Sequence, residues 1–137
     1  MTEKRRERRS ACPINASLEV LGDRWSLLIV RDMMFAGARS FKEFLASEEK
    51  IATNILANRL GRLQEVGIIE SAADPRDRRG SIYHLTAKGI ELAPVLMELS
   101  RWGARYEKGI PPHGILEAWE SDPKAFLSGI RDKMAAA

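Results

Sequence analysis

The chain leaves helical hydrophobic spacing for one short stretch, and that change of period restricts its fold more than any other feature. Up to Gly67 the apolar residues recur at helical spacing. From Ile68 two short runs, IIESAA and SIYHLT, look like strands, and the DPRDRRG between them is rich in turn formers. Helical spacing returns in TAKGIELAPVLMELSRWGARYEKG. The expectation is a hairpin set between helices, with Arg76, Arg78 and Arg79 crowded at its tip. Asp74 and Asp77 are expected to shape that turn rather than to bind anything.

The segments before the hairpin read as four helices. CPINASLEVLG has Pro13 at a first helical position, Ile14, Leu18 and Leu21 at helical spacing, and Gly22 as a stop. DRWSLLIVRDMMFAG follows, capped by Asp23, with Trp25, Leu28, Ile29 and Met33 on its apolar face and Gly37 closing it. In SFKEFLASEE, Ser40 and Glu43 form a capping box and Phe41, Phe44 and Leu45 point inward. IATNILANRLGRLQEVG is the fourth, with Thr53 as N-cap and Gly67 as terminator. In the long helix after the hairpin, Ile90, Val95, Leu96, Leu99 and Trp102 form the apolar side, and Pro94 is expected to kink or interrupt it.

Composition excludes several classes. A chain of 137 residues, 45% hydrophobic and 30% charged, reads as one globular domain. No apolar run approaches the about 18 residues of a membrane span, and MTEKRRERRS lacks the apolar middle of a secretory signal. The single cysteine gives no intramolecular disulfide. A cytoplasmic protein is expected, without metal or cofactor. His84 and His113 lie far apart and have no metal-ligand spacing. No phosphate-cradling or nucleophile motif suggests an enzyme.

The net charge of +3 is unevenly spread. Lys4, Arg5, Arg6, Arg8 and Arg9 crowd the first ten residues, and Arg59, Arg62, Arg76, Arg78, Arg79 and Lys88 follow in two short stretches. A localised basic patch is the electrostatic footprint of a nucleic-acid binder. Helices, a hairpin and a long helix, in that order, make a mainly α chain with a small β-hairpin, a winged helix-turn-helix. In that fold the helix before the hairpin lies in the DNA major groove and the hairpin tip flanks it.

On a helical wheel Leu56, Leu60 and Leu63 cluster within roughly 60°. Opposite them fall Asn54, Asn58, Gly61 and Arg62, with Ile55 and Arg59 nearer the flank. The expected base readers are Asn54, Asn58 and Arg62, with Ile55 against a thymine methyl and Thr53 at the helix start. Arg59, Arg76, Arg78 and Arg79 are expected to hold phosphates or enter the minor groove. The basic arm either tracks phosphates or is a solvated tail.

CPINASLEVLGDRW followed by LLIVRDM, then SFKEF, LANRLGRLQEVGII and YHLTAKGIELAPVLMELSRWG, resembles the HxlR family of bacterial transcriptional regulators over roughly residues 12–103. The wing tip DPRDRRG resembles that of the MarR family equally well. The resemblance implies a homodimer on a pseudo-palindromic operator, joined through the N-terminal and long C-terminal helices. It assigns Leu21, Gly22, Trp25, Leu85 and Thr86 to the scaffold. Three segments follow: a basic arm (1–11), a winged helix-turn-helix domain with dimerisation helices (12–110) and a helical extension (111–137). In the last, SDP begins a helix with Phe126, Leu127 and Ile130 on its apolar side, either adding to the dimer interface or covering a pocket.

Cys12 precedes a helix start, where backbone N–H groups and the helix dipole lower a thiol pKa. Some relatives are similar in sensing oxidants or electrophiles through a cysteine at this motif. The alternative is a small residue packing the interface. Trp25, Trp102, Tyr106 and Trp119 either line an effector pocket or, as aromatics at helical spacing, belong to core and interface. The expected activity is that of a repressor binding double-stranded DNA. The alternatives are a winged-helix protein-interaction module and a MarR-type regulator responding to a small ligand.

Overall fold

The computed structural model describes residues 8–136, so residues 1–7 of the basic arm lie outside the description. Four helices come first: α1 (Pro13–Leu21), α2 (Ser26–Phe35), α3 (Phe41–Leu45) and α4 (Thr53–Glu65). An antiparallel hairpin of β1 (Ile69–Asp74) and β2 (Asp77–Leu85) follows, then α5 (Ala87–Ile90), α6 (Ala93–Tyr106), α7 (Ile115–Ser121) and α8 (Pro123–Ala136). This is the winged helix-turn-helix order the sequence predicts.

The core lies where α2, α3 and α4 meet. Val30, Met34, Phe44, Leu56, Leu60 and Leu63 are fully or almost fully buried there, and Ile68, Ile69 and Leu85 carry it into the hairpin base. Each such side chain contributes about 1.5–3 kcal/mol on burial. The leucine stripe of α4 is thus the one drawn from the wheel. α2 is buried more widely than its expected face, with Ser26, Val30 and Met34 joining Ile29 and Met33. The C-terminal extension packs beside the end of that helix. In α8 Ile130 is buried in the core, Phe126, Leu127 and Met134 pack against it, and the Phe126 ring lies 6.4 Å from that of Phe35. The extension therefore covers the body of its own chain. Trp119 of α7 joins this packing, its ring 5.8 Å from Phe126. Sequence reading passed over α7, which is short and opens at Gly114 in the left-handed region (φ +79°).

Local chemistry sets several helix ends. Asp23 Oδ1 accepts from the N–H groups of Trp25 (2.7 Å) and Ser26 (2.8 Å), while Ser26 Oγ donates to Oδ2 (2.5 Å). The Ser40–Glu43 capping box forms in both directions, and backbone N–H groups of Arg39 and Ser40 hold the Glu43 carboxyl below its usual range. Thr53 is not the cap of α4. Ala52 holds the extended cap position, without a side-chain bond, and Thr53 is already helical. Just before it, Ile51 is buried in the core and Lys50 is left-handed (φ +56°). Pro94 does interrupt the long helix. The chain breaks after α5 and restarts with Pro94 in the first turn of α6, where its missing N–H costs nothing.

Two apolar surfaces stay uncovered. Ile14 and Leu18 of α1 are exposed, and α1 buries no residue. α6 has two apolar faces rather than one: Ala93 and Met97 face the core, while Val95, Leu99, Trp102 and Tyr106 form an outer stripe between 41% and 60% exposed.

Candidate nucleic-acid interface

The hairpin is tied to the helices at its base. Thr86 N–H donates to the Ile68 carbonyl (3.0 Å), Thr86 Oγ1 lies 2.5 Å from the Gly67 carbonyl oxygen, and it accepts from Gly89 N–H. Gly89 is buried so close to the hairpin that a Cβ there would lie 2.3 Å from the Ile68 carbonyl oxygen. Ser40 bridges Ile82, and Tyr83 N–H donates to the Arg39 carbonyl. The base is therefore held from two sides while the tip projects. Gln64 Nε2, near the end of α4, donates to Ser71 Oγ of β1 (2.9 Å), joining the helix to the hairpin directly.

At the tip the strands run further than expected. β2 starts at Asp77, so Arg78 and Arg79 lie in a strand and Arg76 in the turn. Ala73 pairs with Ser81 and the next residue, Asp74, with Asp77, leaving Arg78, Arg79 and Gly80 without opposite residues. Such a bulge twists the strand and re-aims its side chains. Asp74 Oδ1 accepts from Arg76 N–H (2.8 Å) and Asp77 Oδ1 from Arg79 N–H (3.0 Å), so both aspartates shape the turn. All three arginine side chains are exposed.

The outer face of α4 divides. Thr53, Asn54 and Asn58 are exposed, whereas Ile55 is half-buried and packs against the core. Arg62 donates through Nη2 to the Glu19 carbonyl and so is engaged with α1. Arg59 is half-buried. Its Nε lies 3.1 Å from Asp23 Oδ1, an ion pair by distance, yet without hydrogen-bond alignment. Its Nη1 donates to Asn58 Oδ1 (2.5 Å). Burial pushes the Asp23 carboxyl upward, but hydrogen bonds from the Ser26 hydroxyl and the Trp25 and Ser26 N–H groups, together with the nearby Arg59 guanidinium, outweigh it and hold the group below its usual range. Between α1 and α4 runs an open groove of about 520 Å³, lined among others by Glu19, Asp23, Asn58, Arg59, Gly61 and Arg62. Sequence reading missed Asp23 and Glu19 as partners of these arginines, because both contacts join residues distant in sequence.

Other expected positions scatter. Trp25 packs half-buried against the core, while Trp102 and Tyr106 sit together on the exposed stripe of α6, rings 5.8 Å apart. Cys12 is exposed at the N-cap position of α1, and its side chain makes no cap bond. Among the described residues no cluster of His, Cys, Asp and Glu could hold a metal ion, and no helix is long and apolar enough to cross a membrane.

This geometry has counterparts. The chain is 36% identical over 93 residues to the uncharacterized HTH-type transcriptional regulator Rv3095 of Mycobacterium tuberculosis, covering 68% of this chain and 58% of that one. It is 33% identical over 96 residues to the HTH-type transcriptional regulator YodB of Bacillus subtilis, 69% of this chain and 85% of YodB. The reduced form of YodB superposes with a TM-score of 0.58 at 32% identity, covering 74% of this chain and all of that one. YodB is also known in quinone-bound and diamide-treated forms. The solved protein PA1607 superposes at 0.65 with 39% identity, over 77% of this chain and 70% of that one. The family model for HxlR-like helix-turn-helix proteins matches residues 20–110, which contain α2 to α6, the hairpin and the Asp23–Arg59 pair. With that match and that fold, the chain belongs to the HxlR-like helix-turn-helix family.

Proposed function

We propose that this protein is a cytoplasmic transcriptional regulator, a repressor, that binds a pseudo-palindromic operator as a homodimer. The observation that carries the reading is the make-up of α4 and its attachment. From Thr53 to Arg62 the helix holds no acidic residue, its apolar side is wholly committed to the core, and a hairpin with three exposed arginines is fixed to its far end. Asn54 and Asn58 then face base edges, and Arg76, Arg78 and Arg79 face phosphates or the minor groove. The start of α4 has no side-chain cap, which leaves backbone N–H groups for a phosphate. Arg62 and Arg59, bound within the chain, serve to hold the helix rather than to lead in contact. The homodimer forms through α1 and the outer stripe of α6, whose exposed apolar side chains a second copy would bury.

The test is a fluorescence-anisotropy titration of the full chain with the duplex upstream of its own gene and with a scrambled duplex, at several salt concentrations. Tight, sequence-preferring binding that weakens steeply with salt is expected. Arg78→Ala should weaken both duplexes and flatten the log–log salt slope by about one unit, whereas Asn58→Ala should mainly reduce the preference, by about 1–3 kcal/mol. Equal losses on both duplexes for both variants would contradict this division of roles. Absence of binding at low salt would favour a protein-interaction module.

A redox or electrophile response through Cys12 belongs to the same proposal. Its support is the exposed thiol at the head of α1 and the likeness to YodB, which has a quinone-bound and a diamide-treated form. Diamide should release wild-type protein from DNA and leave Cys12→Ser bound; release of both would remove Cys12 from the response.

A further inference from the structure

The amide of Asn58 does not stand alone on α4. Arg59 Nη1 donates to its Oδ1 at 2.5 Å. Arg59 is in turn anchored beside Asp23, with Nε 3.1 Å from Oδ1 and without solvent contact. Asp23 is fixed by two backbone N–H groups and the Ser26 hydroxyl at the start of α2. A chain of contacts therefore runs from the α1–α2 turn, through a half-buried guanidinium, to an exposed amide on the outer face of the helix.

The orientation of that amide has a chemical consequence. An asparagine reads adenine with both ends, accepting from N6 and donating to N7. A cation on Oδ1 alters this in two ways. It engages the acceptor end, and it polarises the amide so that Nδ2–H₂ becomes the stronger donor. It also places positive charge where the N6 donor hydrogens of adenine would approach. Guanine offers only acceptors, N7 and O6, on the same edge.

We infer that Asn58 and Arg59 act as one donor unit that selects guanine rather than adenine at the base pair Asn58 faces, with Arg59 a positioning residue held by Asp23. The inference rests on the proposed seat of α4 in the major groove. It assigns Arg59 a part in specificity instead of the phosphate contact expected from sequence.

The experiment is selection of bound duplexes from a randomised pool by the full-length protein, followed by sequencing, for wild type, Asn58→Ala, Arg59→Met, Arg59→Lys and Asp23→Asn. Wild type should enrich a motif with one position where guanine exceeds adenine by about fivefold or more, the range of a single base-edge pair. Asn58→Ala should erase that preference. Arg59→Met, which keeps the stem but frees Oδ1, should move the position toward adenine. Arg59→Lys should retain guanine, and Asp23→Asn, which can still accept the α2 N–H groups, should shift it partway. Loss of fold would not produce a switch of base.

Adenine at the Asn58-dependent position in wild type overturns the inference, as does guanine persisting unchanged in Arg59→Met. Should Arg59→Met not fold, wild type against Asn58→Ala decides between guanine and adenine. A motif indifferent to Asn58→Ala, or no motif at all, would refute the seating of α4 itself and the inference with it.

Discussion

Two glycines placed in helices with opposite surroundings make a sharp test of how the wing is held. Gly89 and Gly61 are both helical, so propensity alone predicts that alanine stabilises each by about 1 kcal/mol. At Gly61 nothing lies within 4 Å of an added Cβ, and that gain should be realised. At Gly89 the Cβ would stand 2.3 Å from the Ile68 carbonyl oxygen and 3.0 Å from Leu85 Cδ2. The first neighbour is backbone and cannot rotate away. Relief requires moving α5 off the hairpin base by some ~0.7 Å, and overpacking of this kind costs about 1–3 kcal/mol. The same shift stretches the bonds of Thr86 to Gly67, Ile68 and Gly89, each worth about 0.5–1.5 kcal/mol. The net expectation for Gly89→Ala is a loss of about 2–4 kcal/mol. For a chain of this length that lowers Tm by about 7–14 °C, and Gly61→Ala should raise it by about 3–4 °C. Differential scanning calorimetry with reversibility checks measures both. A Gly89→Ala protein melting at or above wild type would refute the close-approach reasoning. Gly61→Ala carries a second readout. If α4 seats its backbone against the duplex, the stabilised variant should bind operator DNA less tightly than wild type.

Further expectations concern charge and assembly. Arg31 grips Glu49 through two hydrogen bonds of 2.7 and 2.8 Å, fastening α2 to the loop before α4, and holds the Glu49 carboxyl down to about 2 from an ordinary 4.5. With the folded value below the unfolded one, this stabilisation is complete above pH 4.5 and lost as pH falls toward 2. Both side chains are about a third exposed, so solvent screening limits it to about 0.2–1 kcal/mol. Urea midpoints at pH 7 and pH 3 should fall further for wild type than for Glu49→Gln; equal falls would deny the pair its role. On the outer stripe of α6, Leu99→Asp should shift sedimentation equilibrium from the mass of two chains to that of one while retaining helical circular dichroism. A wild-type protein already sedimenting as a single chain at micromolar concentration would refute dimerisation through α6.

Local patterns in the chain were enough to determine most of its elements, though not the short α7 or the full length of β2. The leucine stripe of α4, the Ser40–Glu43 box, the aspartates of the turn, the break at Pro94 and the apolar side of α8 all depend on residues within a few positions of one another. Helical and strand periodicity expose such relations directly. By itself, then, the sequence determined the element order from α1 through the hairpin to the helices after it, α7 excepted, and the face of α4 turned away from the core. Only tertiary structure decided which basic side chains on that face are free. Arg62 is engaged by a carbonyl on α1 and Arg59 by Asp23, contacts set by how α1 and its turn pack across α4. A helical wheel shows that an arginine points outward, but carries no information on what another segment brings there. The same holds for Thr53, which lies inside the helix rather than at its cap, and for the second apolar face of α6. An amphipathic pattern reports that a surface is apolar, whereas the fold determines whether its own chain has already covered it.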